Sequence, residues 1–459
     1  MRDLVAGLDT EVPLLQGGRR GYVNLDNAAT TPPFHSVLEL VKEFARYYSS
    51  VHRGTGFKSH LSTELYERCR EVVLDFLGGD PSYHTCVFCA NTTDAINYLC
   101  QRLRLRDGEL ILTTVMEHHS NMLPWRFVGP VDHVGIITED GSLDMVELQD
   151  RLAALSGRVR VVAVTGASNV TGFLPPLRRV ARLAHEHGAL LLVDAAQLAA
   201  HRPIVMGKGS DPERIDFLAG SGHKLYAPFG SGILVGPRDF FAEGAPSRAG
   251  GGSVEVVTLD SVEWTAPPDK EEAGTPNLMG ALALAKATQT LVKAGMENIA
   301  SHERQLTAVT LHRLSRIKGI RVFGDKDPQL PRDRIGVIPI QVEGMDHALL
   351  AAVLSYEWGI GVRNGCFCAH QYVKKLLEMT DAEFERFASL IRGGDRSGLP
   401  GFVRISLALY NTLEEIDYLG HALEEIQQNG PRGSYILDKS SGHYRPQQGA
   451  FDIGEFCFI

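Results

Sequence analysis

The feature that most constrains the fold is the order of apolar and amphipathic segments between Leu25 and Gly236. Short apolar runs alternate there with longer segments of helical periodicity. Strands separated by helices pair in parallel through crossovers, and the helices cover both faces of the sheet, so the pattern predicts an α/β fold. The clearest strands are Thr85–Phe88, Leu110–Thr114, Val159–Thr165, Leu190–Asp194, Phe217–Ala219 and Ser231–Val235. The clearest helices are Asn91–Arg102, Asp144–Leu155 and Leu177–His187.

A second region follows two glycine-containing segments, Gly250–Gly252 and Gly274–Asn277. It begins with long helical runs and continues as a mixture of strands and helices. The predicted helices are Leu278–Lys293, Ile299–Arg316, His347–Trp358 and Leu413–Gln428, and the predicted strands are near Ile320–Phe323, Val337–Val342 and Val403–Leu407. Thr412 followed by Glu415 is a capping box for the last helix. From Gln428 onward, glycine, proline and serine predict a loop-like tail.

Charge and apolar content exclude two classes of partner. The formal net charge is -9 and no lysine- or arginine-rich block occurs, so we expect no nucleic-acid partner. No apolar run reaches about 18 residues, which predicts no membrane span. Met1 is followed by Arg2 and Asp3, which does not resemble a signal peptide. Seven cysteines, an odd number, fit a reducing compartment, and we expect a cytoplasmic protein.

Cys86 and Cys89 form a C-x-x-C pair inside a strand-like run. Alternation along a strand would place the two thiols on opposite faces. No second cysteine or histidine pair lies nearby to complete a zinc site. We therefore expect two small core residues and no metal.

Polar residues at strand ends are the candidates for chemistry, because ligands of open α/β sheets bind at the carboxyl ends of strands. Lys224 follows one strand, and Asp194 closes another. A buried aspartate needs a cationic partner, and a protonated pyridine nitrogen is one that would turn the ring into an electron sink. A surface lysine and a helix-capping aspartate are the alternatives.

An anion site is predicted where a strand passes into a helix at Ala90–Asp94. Backbone N–H groups and the hydroxyls of Thr92 and Thr93 at a helix N-terminus can bind phosphate, together with Ser221 and His223. A plain helix cap is the alternative. His118 and His119 are adjacent and point in different directions, so they do not suit one metal ion. The more specific prediction is that one imidazole stacks on an aromatic ring, and the alternative is a structural histidine.

Eight ordered segments together resemble the cysteine desulfurases of the class V aminotransferase family, in the subgroup that includes selenocysteine lyases. They are Asn24–Thr31, Val51–Gly54, Glu117–Asn121, Ser168–Gly172, Val193–Gln197, Ser221–Tyr226, Ala273–Asn277 and Arg404–Ala408. Their order and spacing match from about Tyr22 to Tyr418. The combination is far more specific than any one segment.

The resemblance implies the type I fold of pyridoxal-phosphate-dependent transferases. This has a large domain with a mostly parallel, seven-stranded type of sheet and a smaller α+β C-terminal domain. The expected division is an N-terminal segment 1–24 that packs with the small domain, a large cofactor-binding domain 25–280, a small domain 281–428 and a tail 429–459. Family members are homodimers with active sites at the subunit interface.

The same resemblance assigns roles to single residues. Lys224 would carry pyridoxal 5′-phosphate as a Schiff base, Asp194 would pair with the pyridine nitrogen, and His118 would stack on the ring. Gln197 and Asn169 would hydrogen-bond the phenolic-oxygen side of the cofactor. The phosphate would be bound by Thr92, Thr93, Ser221 and His223, with Thr275 of the neighbouring subunit. The substrate would be bound by Arg404, Arg363, Asn169 and, in the partner's site, Arg53. Arg404 would hold the substrate carboxylate through a bidentate pair.

Cys368 aligns with the nucleophilic cysteine of the family. The usual subgroup has two histidines before it, whereas this chain has Cys366 and Phe367. The resulting Arg-x-Gly-Cys-Phe-Cys pattern also resembles the desulfurase portion of molybdenum-cofactor sulfurases. A neighbouring arginine would favour the thiolate. The alternative is that both cysteines are structural.

The implied reaction converts L-cysteine to L-alanine and leaves the sulfur on Cys368 as a persulfide for an acceptor protein. Lys224 would remove the α-proton. Cys366 could accept sulfur from Cys368 or form a disulfide with it. Alternatives that do not use Cys368 are a C–S lyase acting by β-elimination and an epimerase. A conventional transaminase and a non-catalytic scaffold also stay open, as do the sulfur acceptor and the preference between cysteine and selenocysteine.

Overall fold

The computed structural model describes residues 1–52, 54–327, 334–448 and 454. The strands are β1 (Glu11–Pro13), β2 (Arg19–Gly21), β3 (Val23–Asn24), β4 (His84–Cys89), β5 (Leu110–Thr114), β6 (Val131–Val134), β7 (Ile136–Ile137), β8 (Ser142–Leu143), β9 (Val159–Thr165), β10 (Leu190–Asp194), β11 (Phe217–Ser221), β12 (Gly232–Pro237), β13 (Val254–Val257), β14 (Val262–Trp264), β15 (Ile320–Val322), β16 (Val337–Val342), β17 (Ile360–Gly361), β18 (Arg363–Gly365), β19 (Phe402–Ser406), β20 (Tyr435–Asp438) and β21 (His443–Pro446).

The α-helices are α1 (His35–Phe44), α2 (Phe57–Phe76), α3 (Thr92–Arg102), α4 (Met145–Ala154), α5 (Leu177–Glu186), α6 (Arg238–Ala242), α7 (Leu278–Ala294), α8 (Met296–Ser315), α9 (His347–Trp358), α10 (His370–Leu376), α11 (Asp381–Arg392) and α12 (Leu413–Asn429). In the described part of the chain, no helix is both long and apolar enough to cross a membrane.

A seven-stranded sheet in the order β4-β12-β11-β10-β9-β5-β6 forms the centre of the molecule. Strand β12 runs antiparallel to both of its neighbours, and the other pairs are parallel. The strands are apolar because helices bury both faces, as parallel sheets require. The predicted mostly parallel α/β sheet is confirmed. Cys86 and Cys89 pack into different apolar clusters, as strand alternation predicts.

A four-stranded antiparallel sheet in the order β15-β16-β19-β18 forms a second layer with its own apolar core. The chain's N-terminal part joins this region, since Val23 pairs with Ile360 between β3 and β17. The capping box of α12 is present: the Thr412 hydroxyl accepts from the Glu415 N–H, and the Glu415 carboxylate accepts from the Thr412 N–H. The domain boundaries at 24/25, 280/281 and 428/429 stay predictions.

The prediction of a loop-like tail is wrong for residues 435–446. Residues 435–446 form the hairpin β20–β21. The buried carboxylate of Glu357, at the end of α9, accepts hydrogen bonds from the N–H groups of Arg432 and Gly433 and from the Tyr435 hydroxyl. This anchor is a long-range contact, which glycine and serine content does not reveal. The tail residues 449–453 and 455–459 lie outside the described residues.

Candidate active site

A cavity of about 690 Å³ opens at the carboxyl ends of the central strands. The lining includes eleven residues that the sequence singled out as site candidates: Thr92, Thr93, His118, Asn169, Asp194, Gln197, Ser221, His223, Lys224, Arg363 and Arg404. Cys368 lines the same cavity. Asp194 pairs in register with Thr165 on one side and Ala219 on the other, so β9, β10 and β11 present their ends together. The structure therefore gathers dispersed sequence positions into one site.

Lys224 lies in a short 3-10 turn, Gly222–Lys224, that directly follows β11. Its side chain is withdrawn from water, which lowers the pKa of the ammonium to about 8, although the charge of Asp194 acts in the opposite direction. A lysine with such a pKa exchanges its proton readily near neutrality and is a competent nucleophile. The alternative of an ordinary surface lysine does not fit this position.

Asp194 is buried at the end of β10, and burial raises the pKa of its carboxyl group. Its Oδ1 accepts a hydrogen bond from the Ala196 N–H at 3.0 Å. No lysine or arginine of the described chain forms an ion pair with it. A buried carboxylate facing a cavity without a paired cation fits the protonated pyridine nitrogen of pyridoxal phosphate. Gln197, on the same wall, is held by a 2.6 Å hydrogen bond from its Nε2 to the Ala28 carbonyl.

The N-terminus of α3 forms the polar end of the cavity. Ser221 at the end of β11 accepts a hydrogen bond from the Thr92 N–H at 2.7 Å, and its hydroxyl lies 2.7 Å from the Thr92 hydroxyl. The hydroxyl of Thr93 lies 2.6 Å from that of Ser120. Asn91 caps the helix by accepting from the Asp94 N–H. Hydroxyls and N–H groups at a helix N-terminus suit a phosphate, so this end fits the phosphate of the cofactor.

His118 lies in the cavity as a neutral ring. Burial and the charge of Lys224 lower the pKa of His118 to about 4. Its Nδ1 accepts from the Ser120 N–H at 3.1 Å, which places the proton of the neutral ring on Nε2. A neutral imidazole fixed in this way suits stacking on an aromatic ring.

The preceding residue, Glu117, received no role from the sequence. It is fully buried, and its carboxylate accepts from the Thr114 hydroxyl, the Asn121 amide and the Thr165 N–H. Burial raises the pKa of Glu117 to about 8. Because Thr165 lines the cavity and His118 follows directly, Glu117 fixes two parts of the wall from behind. The sequence does not indicate this supporting role, because a glutamate that precedes two histidines predicts no particular contact.

Arg404 is a buried guanidinium at the wall of the cavity. Its Nη1 donates to the Asn169 carbonyl at 3.0 Å, and its Nη2 lies 3.2 Å from Asp26 Oδ1. Its buried Nε has no hydrogen-bond partner. Burial lowers the pKa of Arg404 to about 10, so it stays charged at neutral pH. A buried cation with an unused donor suits a substrate carboxylate. Asp26, which the sequence did not single out, also pairs with Arg363 at 3.3 Å.

Cys368 is exposed at the cavity wall in a tight turn. The Ala369 N–H donates to the Cys366 carbonyl at 2.9 Å, and the two central residues have positive φ, 52° at Phe367 and 55° at Cys368. These features define a type I′ turn, which normally uses glycine or asparagine. Two contacts hold its backbone: Asn169 Nδ2 donates to the Phe367 carbonyl at 2.8 Å, and the His119 N–H donates to the Cys368 carbonyl at 2.7 Å.

Cys366 points away from this cavity. Its Sγ lies 3.0 Å from the Pro400 carbonyl and lines a second, separate cavity of about 270 Å³. Burial raises the pKa of the Cys366 thiol to about 12. A buried thiol with this pKa is a poor nucleophile. The geometry gives no support to the expectation that Cys366 accepts sulfur or forms a disulfide with Cys368.

The structure does not test the roles of two predicted site residues. Thr275 is exposed on its own chain and does not line the cavity. Arg53 lies outside the described residues. Both had been expected to act across a subunit interface, and both assignments stay predictions.

Comparison with known proteins agrees with the chemistry of the cavity. The sequence model of the Aminotransferase class-V family matches residues 23–419. A probable cysteine desulfurase of Halalkalibacterium halodurans is 34% identical over 88% of this chain and 93% of that protein. One of Aeropyrum pernix is 35% identical over 91% and 96%. The apo structure of a cysteine desulfurase from Thermococcus onnurineus superposes with a TM-score of 0.77 at 30% identity, covering 89% of this chain and 95% of that one.

Proposed function

The chain belongs to the aminotransferase class-V family, and we propose that it is a pyridoxal-phosphate-dependent cysteine desulfurase that converts L-cysteine to L-alanine and takes the sulfur onto Cys368. The observation that carries the proposal is the presence of an accessible thiol, Cys368, in the same cavity as Lys224, Asp194 and Arg404. A transaminase or an epimerase has no use for that thiol. Relatives along nearly the whole chain are named cysteine desulfurases.

Pyridoxal phosphate, when bound, supplies an electron sink for the electrons of the bond broken at the substrate α-carbon. Asp194 would pair with its pyridine nitrogen, and His118 would stack on its ring. Asn169 and Gln197 would hydrogen-bond its phenolic-oxygen side. Thr92, Thr93, Ser221 and His223 would hold its phosphate, with Thr275 contributed by the neighbouring subunit of a homodimer. Lys224 is the residue that holds it covalently.

Three groups of this chain bind and activate the substrate. Arg404 binds the substrate carboxylate, and Arg363, at the open side of the cavity, adds positive charge. Arg53 of the neighbouring subunit is expected to contribute in the same way. Lys224 Nζ would take the α-proton and return a proton to the carbon fragment, and burial lowers the pKa of its ammonium in the cofactor-free chain to about 8, which suits both transfers.

Cys368 carries out the sulfur transfer. Its thiolate attacks the sulfur of L-cysteine, so that an S–S bond forms while the bond between Cβ and sulfur breaks. The electron pair of the broken bond stays with the carbon fragment, which gains a proton and leaves as L-alanine. The enzyme is left with a persulfide, and an acceptor protein or a thiol reductant then removes the outer sulfur.

The six described cysteines are free thiols, which supports a reducing, cytoplasmic setting.

The test compares products from L-cysteine plus a thiol reductant. The wild-type enzyme should release alanine and sulfide in equal amounts, and Cys368→Ala should release neither at a detectable rate while it keeps the bound cofactor. Cys366→Ala is the matched control and should keep most of the activity. Pyruvate as the product, or turnover indifferent to Cys368→Ala, would overturn the proposal in favour of a C–S lyase.

A further inference from the structure

Three residues around the substrate end of the cavity contact one another in a closed triangle. Arg404 Nη1 donates to the Asn169 carbonyl at 3.0 Å, and Asn169 Nδ2 donates to the Phe367 carbonyl at 2.8 Å. The third side is a cation–π contact, in which the Arg404 guanidinium lies 4.7 Å from the centroid of the Phe367 ring. All three side chains are buried, and all three residues line the cavity.

Phe367 belongs to two functional parts at once. Its ring lies against the arginine proposed to bind the substrate carboxylate, and its backbone forms the type I′ turn that presents Cys368. The ring is packed into the main apolar core, so it cannot move independently of its surroundings. A displacement of Arg404 is therefore transmitted to the turn through both the ring and the amide of Asn169.

The remaining contacts of Arg404 permit such a displacement because they do not hold the whole guanidinium. Its Nε is unpartnered, and Asp26 shares its carboxylate between Arg404 at 3.2 Å and Arg363 at 3.3 Å. A substrate carboxylate would compete with Asp26 for the guanidinium and redirect it. The guanidinium also lies against the Phe367 ring, which is packed in the apolar core and limits that displacement.

We propose that Phe367 is a positioning residue that couples occupancy of the Arg404 carboxylate site to the placement of the Cys368 thiol. Without a ligand, Arg404 already lies 4.7 Å from the Phe367 ring and donates to Asp26, and the Cys368 side chain is exposed. A bound carboxylate takes the place of Asp26 on the guanidinium, and the resulting shift of Arg404 against the ring and Asn169 moves the turn so that Cys368 faces the bound amino acid. The inference rests on the proposed function, because it takes an amino acid as the ligand and Cys368 as the nucleophile.

The test measures this coupling without relying on turnover. L-Alanine, which carries the carboxylate but no sulfur, is titrated into the holoenzyme and its binding is followed by the absorbance of the bound cofactor. Alkylation of Cys368 by iodoacetamide is then timed with and without saturating L-alanine, and the modified peptide is quantified by mass spectrometry. In the wild type, L-alanine should slow alkylation by about fivefold or more, within the usual range of coupling between two sites.

Phe367→Leu removes the aromatic face and keeps an apolar side chain. It should weaken L-alanine binding by about threefold to tenfold, the scale of a partly buried cation–π contact. It should also bring the alkylation rates with and without saturating L-alanine to within about a factor of two of each other. Phe367→Tyr should restore both effects. Phe384→Leu is the matched control, since Phe384 contacts Lys374 at 5.4 Å away from Arg404, and it should behave as the wild type.

The outcomes separate this inference from the proposed function. Equal protection of Cys368 in the wild type and Phe367→Leu, each saturated with L-alanine, would show simple shielding by the ligand and overturn the coupling. Absence of any protection in the wild type would overturn it as well. A failure to make alanine from L-cysteine would overturn the proposed function instead, and it would leave the binding and alkylation results readable. Unchanged melting temperature and cofactor content in Phe367→Leu would exclude misfolding.

Discussion

The folded chain shifts the pKa of Lys224 by burying its side chain. Burial lowers the pKa of its ammonium in the cofactor-free chain to about 8, against an ordinary value of 10.5. Only the neutral amine is a nucleophile toward an aldehyde. A larger neutral fraction is therefore available at neutral pH than for an exposed lysine, and this fraction still increases as the pH rises through 8.

The first prediction concerns covalent attachment of pyridoxal phosphate to the cofactor-free chain. The rate of attachment should rise with pH between 7 and 9 and level off above 9, with a midpoint near 8. Stopped-flow absorbance of the bound cofactor measures it. Asp194→Asn should lower the midpoint, because the carboxylate raises the pKa of Lys224. A midpoint near 10 would contradict the description of Lys224 as a buried amine.

The site residues differ in how readily the sequence alone predicts their roles. Lys224, Asp194, Thr92 and Thr93 could be predicted because each lies at the end of a recognisable strand, after one, or at the start of a helix. Asp26 could not be given a role, since its partners Arg363 and Arg404 are hundreds of positions away. Glu117 could not be given a role either, because Thr165 is 48 positions away and the near neighbours Thr114 and Asn121 meet its side chain only in the folded chain.

The element that presents the nucleophile is a strained turn. Residues other than glycine, asparagine or aspartate rarely adopt left-handed backbone, and Phe367 and Cys368 both do so here. Each such residue costs about 1–2 kcal/mol. The contacts from Asn169 and His119 oppose this strain and keep the thiol at the cavity wall.

The second prediction compares two variants that both lack the thiol. Cys368→Gly should be more stable than Cys368→Ala by about 1 kcal/mol, because glycine tolerates positive φ although it loses more entropy on folding. Urea unfolding measures the difference. Ala369→Gly is the control: Ala369 has a φ of -137°, so glycine there should destabilise the protein. Equal stability of the two Cys368 variants would mean that the turn carries no strain.

Strands and helices were predicted closely where periodicity was strong. The bounds predicted for β5, β9, β10, β16 and α9 match the structure, and the other predicted elements differ by one to three residues at an end. No prediction was made for several further elements, among them α1, α2, α10, α11 and β6. The hairpin β20–β21 was missed because its short strands depend on Glu357 and on packing against Tyr356, not on an apolar pattern of their own. Tertiary contacts of this kind are the part that sequence periodicity leaves open.

At the scale of the whole molecule, a buried ionic cluster joins the central sheet to the second layer. Glu303 on α8 lies 2.5 Å from Arg202 Nη1 and 2.7 Å from His201 Nδ1. Its Oε1 also accepts from the Gly336 N–H at 2.8 Å, just before β16. These groups are almost fully buried, so the loss of one member leaves an uncompensated charge in the interior.

The third prediction follows from that cluster. Glu303→Gln should destabilise the protein by about 3 kcal/mol, the usual cost of breaking a buried ion pair. Glu424→Gln is the matched control: Glu424 on α12 pairs with Arg313 on α8 in a half-exposed position, so its loss should cost about 1 kcal/mol or less. Denaturant unfolding gives both values. Similar effects of the two variants would contradict the account of the cluster.

We expect a homodimer, and exposed apolar residues on one hairpin fit this expectation. The hairpin β13–β14 carries exposed Val256, Val257 and Leu259, of which Leu259 is completely exposed. Thr275, expected to reach the phosphate of a neighbouring subunit, is exposed in the same region of the sequence. Apolar residues clustered at a projecting tip are typical of surfaces that a partner covers.

The fourth prediction tests that assembly. Light scattering should give a mass twice the 50.2 kDa of one chain. Thr275→Val should leave this mass unchanged and accelerate loss of pyridoxal phosphate by about tenfold, as expected for one hydrogen bond to a charged group. A monomeric mass, or cofactor loss unaffected by Thr275→Val, would contradict the assignment of Thr275 to a shared site.

The most direct measurement is the mass of the Cys368 peptide after the holoenzyme reacts with one equivalent of L-cysteine without a reductant. We predict one added sulfur atom on Cys368, an equal amount of L-alanine in solution, and no added sulfur on Cys366. Removal of the added mass by a thiol reductant would identify it as a persulfide. Alanine or sulfide formed while Cys368 stays unmodified would contradict the central claim that this thiol takes the sulfur.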